Sequence, residues 1–416
     1  MATPSDNKIY DIAIIGGGIA GAGLAREAAL RGATVVLFEK NTFGSGTSSK
    51  SSRLIHGGIR YLELSWSALG RRDFDEAWKN FRFVFSSLRE CRVLEKIAPD
   101  LVRPLPLIIP IYSNDHRGRA SIFLGALFYS FLSCLAGNVK PVHIYWTKQS
   151  ILKKLPALNP EGLRGGIRIW DHATDDHALV QKTIASAVKH GARCFENAEV
   201  LGDGYTFNED CHEMLVRIQG QDQKFQARKI LNASGPWVDQ VRDIFGEDQD
   251  KEPWIVPIAG SHITVKSFIP YSAILQAQDG RIFFAINQKD TCRVGTTEWR
   301  CDSPDHVPVP QEDKEYLLQS LAKYFPGKKW SAEDILSSDA GIRPLASPKN
   351  SQNPNLISRE HEIRLGPTGI IHVLGVKLTD HRRAAEEIIG ELVPELRRHQ
   401  PNIKIKSISA TTPLSL

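Results

Sequence analysis

The chain has 416 residues, of which 42% are hydrophobic and 24% are charged, and its net charge is +5. This composition is typical of a globular protein and excludes a disordered or fibrous chain, and the length predicts at least two domains. Basic residues form no long run and no nucleic-acid-binding motif occurs, so nucleic acid is not expected as a partner. The six cysteines are scattered without a CxxC pair, and the N-terminus is polar. Both features favour a reducing, cytoplasmic location.

Residues 10–39, YDIAIIGGGIAGAGLAREAALRGATVVLFE, predict a strand at 11–15, a glycine turn, a helix at 19–31 that stops at Gly32, and a second strand at 34–38. Gly16, Gly18 and Gly21 have the G-x-G-x-x-G spacing, which allows a tight turn, close approach of a pyrophosphate and close helix–strand packing. Glu39, at the end of the second strand, is suited to accept hydrogen bonds from ribose hydroxyl groups. The stretch therefore predicts a dinucleotide site.

The next stretch, residues 41–63, is rich in small and polar side chains. It predicts a loop around a ligand, with hydroxyl groups offered by Thr47, Ser48 and Ser49. Residues 66–97 follow with aromatic side chains at helical spacing, and these are expected in the core.

Two apolar segments follow the helical region. Residues 101–112, LVRPLPLIIPIY, predict a strand that its prolines confine to a sheet edge. Residues 121–136, SIFLGALFYSFLSCLA, are shorter than the roughly 20 residues that span a bilayer. Two interpretations remain open for this second segment: a helix buried in the second domain, or a helix lying on a membrane surface beside basic residues.

Several acidic residues and histidines lie close together in residues 171–177. Helix capping by Thr174 or Asp175 and solvation account for them better than metal ligation, so no metal site is predicted. The helix that follows is expected to turn Leu179, Ile184, Ala187 and Val188 inward.

The remaining elements alternate between two patterns. Residues 213–230 predict a hairpin turning near Gly220, and residues 229–237 a buried strand that ends in a glycine turn, where open α/β sheets bind ligands. Residues 251–297 predict an antiparallel sheet. Helices are expected at 311–325 and 382–392, with a strand and glycine turn at 370–375 between them.

This alternation predicts an α/β fold with a Rossmann-like dinucleotide-binding domain and a second, mainly antiparallel α+β substrate domain, both discontinuous in sequence. The first domain is expected to comprise 8–76, 165–239 and 338–396. The second, a cap over the substrate, comprises 77–164 and 240–337, and residues 397–416 form a small, polar tail.

Eight stretches between residues 11 and 379 resemble the FAD-dependent glycerol-3-phosphate dehydrogenases, which have the D-amino-acid-oxidase-like flavoenzyme fold. They are DIAIIGGGIAGAG, TSSKSSRLIHGGIRYLE, LNASGPWV, GSHITV, VGTTE, SDAGIRPL, ISRE and GVKLT. The first indicates a dinucleotide alone, whereas SSRLIHGGIRYLE, GIRPL and KLT are specific to enzymes that act on glycerol 3-phosphate. The resemblance implies oxidation of this substrate to dihydroxyacetone phosphate by hydride transfer to the flavin.

The resemblance also implies which residues bind FAD. They lie on the glycine turn, the serine-rich loop, and later strands and turns: Gly16, Gly18, Gly21, Glu39, Thr47, Ser48, Ser49, His56, Val200, Ala233, Gly235, Lys377, Leu378 and Thr379.

Substrate and catalytic residues follow from the same motifs. The resemblance assigns the phosphate to Arg60, Arg343 and Arg359, whose forked guanidinium groups bind two oxygens at once. Lys377 is expected beside both flavin and substrate, where its charge favours the anionic reduced flavin. Arg343 and Lys377 are thus predicted to be catalytic as well as substrate-binding.

Removal of the hydroxyl proton requires a base. His262 in GSHITV is the predicted general base, because the ordinary pKa of histidine lies near working pH. His56 is the alternative base, although support of the predicted ligand loop 41–63, hereafter the flavin loop, explains it better. Tyr61 is expected to line the substrate pocket.

The chain departs from the family pattern at Val376, Asp380 and His381. An acid at 380 would be unfavourable if it pointed toward a bound phosphate. The helical C-terminal domain of many relatives is also expected to be absent, which leaves a homodimer and coupling to the electron acceptor open.

Four functions therefore remain in view. The leading one is a dehydrogenase that passes electrons to a quinone at the inner face of the cytoplasmic membrane, favoured by the apolar segment 121–136. The alternatives are an oxidase that uses oxygen, an enzyme acting on another hydroxy acid or amine, and a catalytically idle flavin-binding protein. The three arginines argue against an uncharged substrate, which would leave them unpaired.

Overall fold

The structure, a computed structural model, describes residues 5–115, 118–208, 211–247, 252–305, 307–347 and 361–414. Within these ranges the α-helices are Ile19–Arg31 (α1), Ile59–Gly70 (α2), Phe74–Ile97 (α3), Arg119–Leu135 (α4), Lys148–Leu152 (α5), Asp176–Lys189 (α6), Val238–Ile244 (α7), Gln311–Tyr324 (α8) and His381–His399 (α9). The β-strands are Ser5–Ile15 (β1), Val35–Phe38 (β2), Leu54–Ile55 (β3), Arg103–Tyr112 (β4), His143–Tyr145 (β5), Leu163–Ala173 (β6), Arg193–Phe195 (β7), Ala198–Asn208 (β8), Cys211–Ile218 (β9), Gln221–Asn232 (β10), Ile255–Lys266 (β11), Ser272–Gln276 (β12), Ile282–Gln288 (β13), Thr291–Gly295 (β14), Trp299–Arg300 (β15), Ile335–Ala346 (β16), Glu362–Leu365 (β17) and Ile371–Leu374 (β18).

The first sheet has the order β17–β18–β10–β1–β2–β7, with the β8–β9 hairpin joined to β10 through β9. Strands β18, β10, β1, β2 and β7 run parallel, and β17 is antiparallel to β18. Helix α1 packs between α6 and α9. Its alanines meet buried strand side chains such as Ile12, Ile14 and Leu37 in one core. The carboxyl ends of the parallel strands therefore meet at one edge, as the sequence predicts.

Helix α1 begins and ends at the residues that the sequence predicts. Gly32 ends it in the left-handed region, with φ of 92°, and its N–H group donates to the carbonyls of Ala28 and Ala29. A glycine at this position closes the helix without the steric cost that a side chain would bring.

The second sheet has the order β15–β11–β14–β13–β12–β4–β6–β3, with β16 paired to β11 and β5 to β6. Its pairings are antiparallel, apart from a short parallel contact between β12 and β4. The expected antiparallel pattern of residues 251–297 is thus observed. Helix α8 packs on β11 and closes a second core around Ile263, Phe283 and Leu321.

The predicted edge position of residues 101–112 is wrong. Strand β4 lies inside the second sheet, between β6 and β12. Pro104, Pro106 and Pro110 occupy alternate positions, so their missing N–H groups lie on one side of the strand. Strand β4 pairs with β12 only through Leu107 and Ile108. The prolines therefore interrupt few hydrogen bonds between these two strands.

The expected domain boundaries also differ from the sheets at three places. Residues 54–55, 165–173 and 338–346, assigned by sequence to the dinucleotide-binding domain, lie in β3, β6 and β16 of the second sheet. A strand pattern alone does not state which sheet the strand joins, and the pairing partner decides it. Division of the chain into two folding units stays a prediction.

Helix α4 is neither wholly buried nor wholly exposed. Ala126, Tyr129 and Leu132 lie in the core with α2 and α3, whereas Leu124 is 68% exposed and Phe131 is 56% exposed. No helix in the described ranges is long and apolar enough to cross a bilayer.

The exposed side of α4 continues onto α2 and α3. Trp66 packs on Phe128, Phe128 on Phe81, and Phe81 on Trp78, with ring centroids 5.5–6.2 Å apart. Trp66 and Trp78 are both more than half exposed. We call this surface the aromatic face; its exposed members are Trp66, Leu69, Phe74, Trp78, Leu124, Leu127, Phe131 and Leu135.

Candidate active site

The glycine motif forms a tight turn against the end of β10. A side chain at Gly16, where φ is 105°, would lie 2.7 Å from the carbonyl oxygen of Ala233. One at Gly21 would lie 1.9 Å from the carbonyl oxygen of Gly16. Both positions therefore require glycine, the first because of the adjacent 233–235 turn and the second because of the glycine turn itself.

The start of α1 has the features that a dinucleotide requires. Gly18 caps the helix without a side chain, and the N–H group of Ile19 donates to the hydroxyl of Ser48 at 2.9 Å. The half-buried carboxylate of Glu39 accepts from the N–H group of Gly17 at 2.7 Å. A helix N-terminus that faces a glycine turn, with an acid at the end of the next strand, fits pyrophosphate and ribose.

Other predicted cofactor residues lie around the same edge. Thr47 donates to the carbonyl of Ile342 in β16 at 2.7 Å and so joins the serine-rich loop to the second sheet. The hydroxyl of Ser49 donates to the carbonyl of Gly46 at 3.2 Å. Val200 is buried in β8, where it pairs with Val216.

The loop after β3 meets the turn after β18. The N–H group of His56 donates to the hydroxyl of Thr379 at 3.1 Å, and Nδ1 of His56 accepts from the N–H group of Gly58 at 3.0 Å. Burial and the charge of Lys377 lower the pKa of His56 to about 4. His56 is therefore neutral and joins the loop to the turn after β18 through these contacts, and its role toward the cofactor stays a prediction.

Lys377 lies at the same junction. Its Nζ donates to the hydroxyl of Tyr61 at 2.8 Å and lies 3.8 Å from the ring centroid of Phe83. Leu378, beside it, packs partly buried against the first core. The structure thus brings Lys377 and Tyr61, both predicted to be substrate-binding residues, within hydrogen-bond distance. Phe83, whose ring lies against the ammonium group, was not singled out by the sequence.

His262 is buried in β11, and its Nε2 lies 2.9 Å from the hydroxyl of Ser52. Its Nδ1 is buried without a partner among the described residues. Burial and the nearby charges of Arg293, Arg343 and Arg53 hold the pKa of His262 well below its usual value. His262 is therefore a neutral imidazole surrounded by guanidinium groups.

Sequence reasoning missed the ion pair that organises this cluster. Both terminal nitrogens of Arg293 donate to the carboxylate of Asp339 at 2.7 Å, and its Nε donates to the carbonyl of Ser51 at 3.0 Å. Arg293 directly precedes the VGTTE stretch and Asp339 lies within SDAGIRPL, but neither residue was singled out as a site residue. Their pairing across β11 could not be read from either motif alone.

Arg343 shares a face with His262. It pairs in β16 with Ile258, four residues before His262, so alternation along the strand puts both side chains on one side of the sheet. Its guanidinium group donates to Glu298 at 3.2 Å and to the hydroxyl of Thr296 at 3.3 Å.

The contacts of the other two predicted phosphate ligands, Arg60 and Arg359, lie outside the described part of the structure. Arg60 lies in the first turn of α2, and its side chain is outside the described part. Arg359 lies outside the described residues altogether.

The departures from the family pattern are accommodated in the interior. Asp380 is buried and accepts from the hydroxyl of Ser87 at 3.0 Å, and burial raises its pKa. His381 donates from Nδ1 to the carbonyl of Leu378 at 2.8 Å. Val376 packs partly buried against the first core.

The acidic cluster at 171–177 is used structurally. Asp175 caps α6 by accepting from the N–H group of Ala178, and Asp176 accepts from both the N–H and hydroxyl groups of Ser51. In the described part of the chain no group of three or more His, Cys, Asp or Glu side chains could hold a metal ion.

Comparison with known proteins agrees with this geometry. The family described as FAD dependent oxidoreductase matches residues 11–379. The aerobic glycerol-3-phosphate dehydrogenase of Staphylococcus epidermidis is 32% identical over 396 residues, which cover 94% of this chain and 68% of that protein. The crystal structure of the glycerol-3-phosphate dehydrogenase from Bacillus halodurans complexed with FAD superposes with a TM-score of 0.73 at 25% identity, over 97% of this chain and 67% of that one. The L-alpha-glycerophosphate oxidase of Mycoplasma pneumoniae with FAD bound has the same fold, with a TM-score of 0.66 at 17% identity, over 93% of this chain and 95% of that one.

A parallel sheet with its glycine turn, joined to a large antiparallel sheet, defines the class of flavin-dependent oxidoreductases. The chain belongs to the FAD-dependent oxidoreductase family that includes the D-amino-acid-oxidase-like enzymes. The expected fold class, the FAD cofactor and the resemblance to glycerol-3-phosphate dehydrogenases are confirmed.

Proposed function

We propose that this enzyme oxidises sn-glycerol 3-phosphate to dihydroxyacetone phosphate. The observation that carries the proposal is the buried His262, whose Nδ1 has no partner among the described residues and which shares a sheet face with Arg343. A base beside an arginine suits a phosphorylated alcohol, because the guanidinium group binds phosphate oxygens while the base accepts the hydroxyl proton. The relatives named as glycerol-3-phosphate dehydrogenases support the same substrate.

FAD, when bound, would accept the hydride that leaves C2 of the substrate. His262 accepts the hydroxyl proton at Nδ1, since its Nε2 is occupied by the hydroxyl of Ser52 and Nδ1 has no partner among the described residues. Arg343 binds the phosphate by exchanging its contact with Glu298 for phosphate oxygens. In this proposal Arg60 and Arg359 bind the same group.

Lys377 acts at the junction of the flavin loop and the substrate pocket. Tyr61 and Phe83 hold its ammonium group in place, and a fixed cation favours the negative charge that develops when the cofactor is reduced. Tyr61 lines the pocket and orients Lys377 through its hydroxyl group. The residues that the resemblance assigns to FAD, from Gly16 to Thr379, contact the cofactor in this proposal.

Anaerobic reduction tests the proposed substrate. Glycerol 3-phosphate added to the oxygen-free, FAD-loaded protein should bleach the flavin absorbance, whereas glycerol, which lacks the phosphate, should not. Bound FAD that stays oxidised with glycerol 3-phosphate but bleaches with another hydroxy acid or an amine would contradict the proposal.

For the electron acceptor we propose a membrane quinone, reached from the inner face of the cytoplasmic membrane. The aromatic face supports this proposal, because tryptophans beside exposed leucines suit the boundary between headgroups and acyl chains. Reoxidation of the reduced enzyme should be faster with a quinone in anionic vesicles than with dissolved oxygen; the reverse order would favour an oxidase.

Vesicle flotation tests the membrane contact itself. A variant with Leu124→Glu and Phe131→Glu should float with anionic vesicles much less than the unchanged protein, because two charges must enter the apolar boundary. Leu336→Glu and Leu365→Glu provide the control, since both leucines are exposed on strands away from α4. Equal loss of flotation in the two variants would contradict the aromatic face as the contact.

A homodimer, the other proposed partner, is tested by the mass of the purified protein in light scattering.

A further inference from the structure

A series of directed hydrogen bonds runs from a buried glutamate to the turn after β10. One carboxylate oxygen of Glu247 accepts from the N–H and hydroxyl groups of Thr368, and the other lies 2.6 Å from Nε2 of His372. Nδ1 of His372 lies 2.9 Å from the amide nitrogen of Asn232. The amide oxygen of Asn232 accepts from the N–H and hydroxyl groups of Ser234, at 3.2 and 2.6 Å. Glu247, His372 and Asn232 are all buried.

The partners fix the direction of every bond in this series. A carboxylate accepts and does not donate, so Nε2 of His372 carries the proton and Nδ1 accepts from Asn232. The second N–H of the same amide donates to the carbonyl of Val238 at 3.0 Å, which turns the amide oxygen toward Ser234. The opposite tautomer of His372 would rotate the amide and bring its NH₂ group against the N–H group of Ser234.

Glu247 is well held as the origin of the series. Burial alone would raise its pKa, but hydrogen bonds from His372 and Thr368 keep the pKa of this carboxyl below the ordinary value. Trp254 closes the other side of the imidazole, with ring centroids 5.0 Å apart. Inside a buried network each bond strengthens the next, and the loss of one partner leaves a costly unpaired group.

The turn at the far end of the series borders the cofactor site. The N–H group of Ala233 donates to the carbonyl of Ile15 at 2.8 Å, directly before the glycine turn. The spacing between Gly16 and this turn leaves no room for a Cβ atom. A small change in the shape of the 233–235 turn therefore displaces the backbone on which the dinucleotide rests.

We propose that Glu247, His372 and Asn232 form a positioning relay, which sets the 233–235 turn and thereby the affinity of the chain for FAD. The three residues act through the turn, because their polar groups are occupied by one another and by backbone and hydroxyl groups. The inference depends on FAD binding and is independent of the proposed substrate.

Glu247→Gln tests the relay with little change in shape. The glutamine amide has two orientations. If its NH₂ group faces His372, it donates to Nε2 and forces the opposite tautomer of the imidazole. If its NH₂ group faces Thr368, it meets the two groups that donate to Glu247, so each orientation breaks one bond of the series. We expect the dissociation constant for FAD to rise about tenfold or more, and the visible circular dichroism of the bound flavin to change. Both are measured without substrate.

Asp11→Asn is the matched control. Asp11 is a buried carboxylate of the same sheet and accepts from the N–H and hydroxyl groups of Thr34, at 2.7 and 2.8 Å, as Glu247 does from Thr368. It lies before the first residue of the β1–β2 pairing, at the end away from the glycine turn. We expect this variant to lower the unfolding temperature and to leave FAD affinity and flavin dichroism unchanged. An equal loss of FAD affinity in both variants, or none in Glu247→Gln, would overturn the relay.

Thr368→Val keeps the test decisive if Glu247→Gln does not fold. It removes one hydroxyl bond to Glu247 at the end of the relay away from the cofactor, in the turn between β17 and β18. We expect FAD to bind about threefold more weakly, the smaller loss that a neutral hydroxyl bond brings. FAD affinity equal to that of the unchanged protein would contradict the relay.

Discussion

His262 combines a neutral ring with a cationic surrounding. Its pKa is lowered by burial first and then by Arg293, Arg343 and Arg53, so the ring is unprotonated at neutral pH and its Nδ1 can accept a proton. In the proposed mechanism Arg343 binds the phosphate of the substrate, whereas Arg293 is already paired with Asp339 and Arg53 lies beside Asp176.

Replacement of this base should affect chemistry more than binding. We expect His262→Ala to slow anaerobic flavin reduction about 100-fold or more, the ordinary contribution of a general base, with a substrate dissociation constant within a few-fold of the unchanged protein. Stopped-flow reduction at several substrate concentrations separates the two quantities. A variant that reduces at the normal limiting rate would exclude His262 as the base.

The pH dependence follows from the lowered pKa of His262. A base is active when unprotonated, so its contribution is lost as pH falls through its own pKa, which lies well below 6.5. The ratio of the reduction rates of the unchanged protein and His262→Ala should therefore stay constant from pH 8 down to 6.5. Use of the ratio removes titration of the substrate phosphate, and a ratio that falls near pH 6.5 would contradict the lowered pKa.

Arg343 is expected to act on substrate affinity. Arg343→Ala should raise the substrate concentration for half-maximal reduction about tenfold or more, because a charge-assisted pair of hydrogen bonds to phosphate is lost. Arg300→Ala removes an exposed arginine from the neighbouring strand β15 and serves as the control. Equal half-saturation in the Arg343 variant and the control would refute the phosphate role.

At the scale of elements, α4 is joined to the flavin loop by one buried network. The hydroxyl of Tyr129 in α4 donates to Asp171 in β6 at 2.5 Å and accepts from the N–H group of Gly57 at 2.9 Å. Burial raises the pKa of Asp171 to about 7, although hydrogen bonds from Tyr129 and Gly57 oppose the shift. A carboxyl in this position changes its charge near neutral pH.

This carboxyl should make stability depend on pH. Its pKa is raised on folding, so the folded state binds the proton more tightly, and ionisation between about pH 4 and 7 costs stability. The cost is at most about 4 kcal/mol above pH 7, because folding raises this pKa from 3.8 to about 7. The unfolding temperature of the unchanged protein should therefore fall relative to that of Asp171→Asn as pH rises from 5 to 8. A difference between the two proteins that does not change with pH would contradict the raised pKa.

Elements with a strong local signal could be predicted from the sequence. The bounds of α1 follow from its glycines and alanines, and the turn at Gly220 follows from the two flanking strand patterns. The burial of α4 could not be predicted, because the same apolar sequence is compatible with a helix packed in the protein core and with a helix on a membrane surface. Val188 was expected to face inward but is half exposed on α6, since helical spacing alone does not give the width of the buried face.

In the candidate site too, residues in local motifs were predicted and contacts between distant residues were not. Glycine motifs and matched family stretches identify Gly16, Lys377 and His262, because each lies within a short recognisable stretch. The Arg293–Asp339 pair and the relay through His372 join residues far apart in sequence, and their pairing depends on strand register, which the sequence does not state.

At the scale of the whole molecule, helix α3 ties the two sheets together. Leu88 near its middle packs in the core with α4, and Leu94 and Ile97 at its end pack in the core of the first sheet. Glu90 forms a buried pair with Arg382 of α9, with both oxygens 2.6–2.7 Å from guanidinium nitrogens. Helix α3 thus packs in both cores and is paired with α9.

The segment after α9 completes this arrangement and is more than the polar tail that its composition predicts. Arg26 of α1 donates to the carbonyls of Ser409 and Thr412, and the N–H group of Leu414 donates to the carbonyl of Ile97 at 2.7 Å. Leu414 is 1% exposed and packs in the core of the first sheet. The segment therefore fastens α1 to the end of α3.

Leu414→Ala should lower the stability of the whole molecule by about 2 kcal/mol or more, because the truncation removes buried methyl groups and leaves a cavity. The bound flavin should keep its spectrum, since Ser48 still holds the first turn of α1. Leu365→Ala is the control, as Leu365 is 70% exposed, and it should change stability by no more than about 0.5 kcal/mol. Both are measured by thermal unfolding of the FAD-loaded protein, and equal unfolding temperatures would mean that the segment does not stabilise the fold.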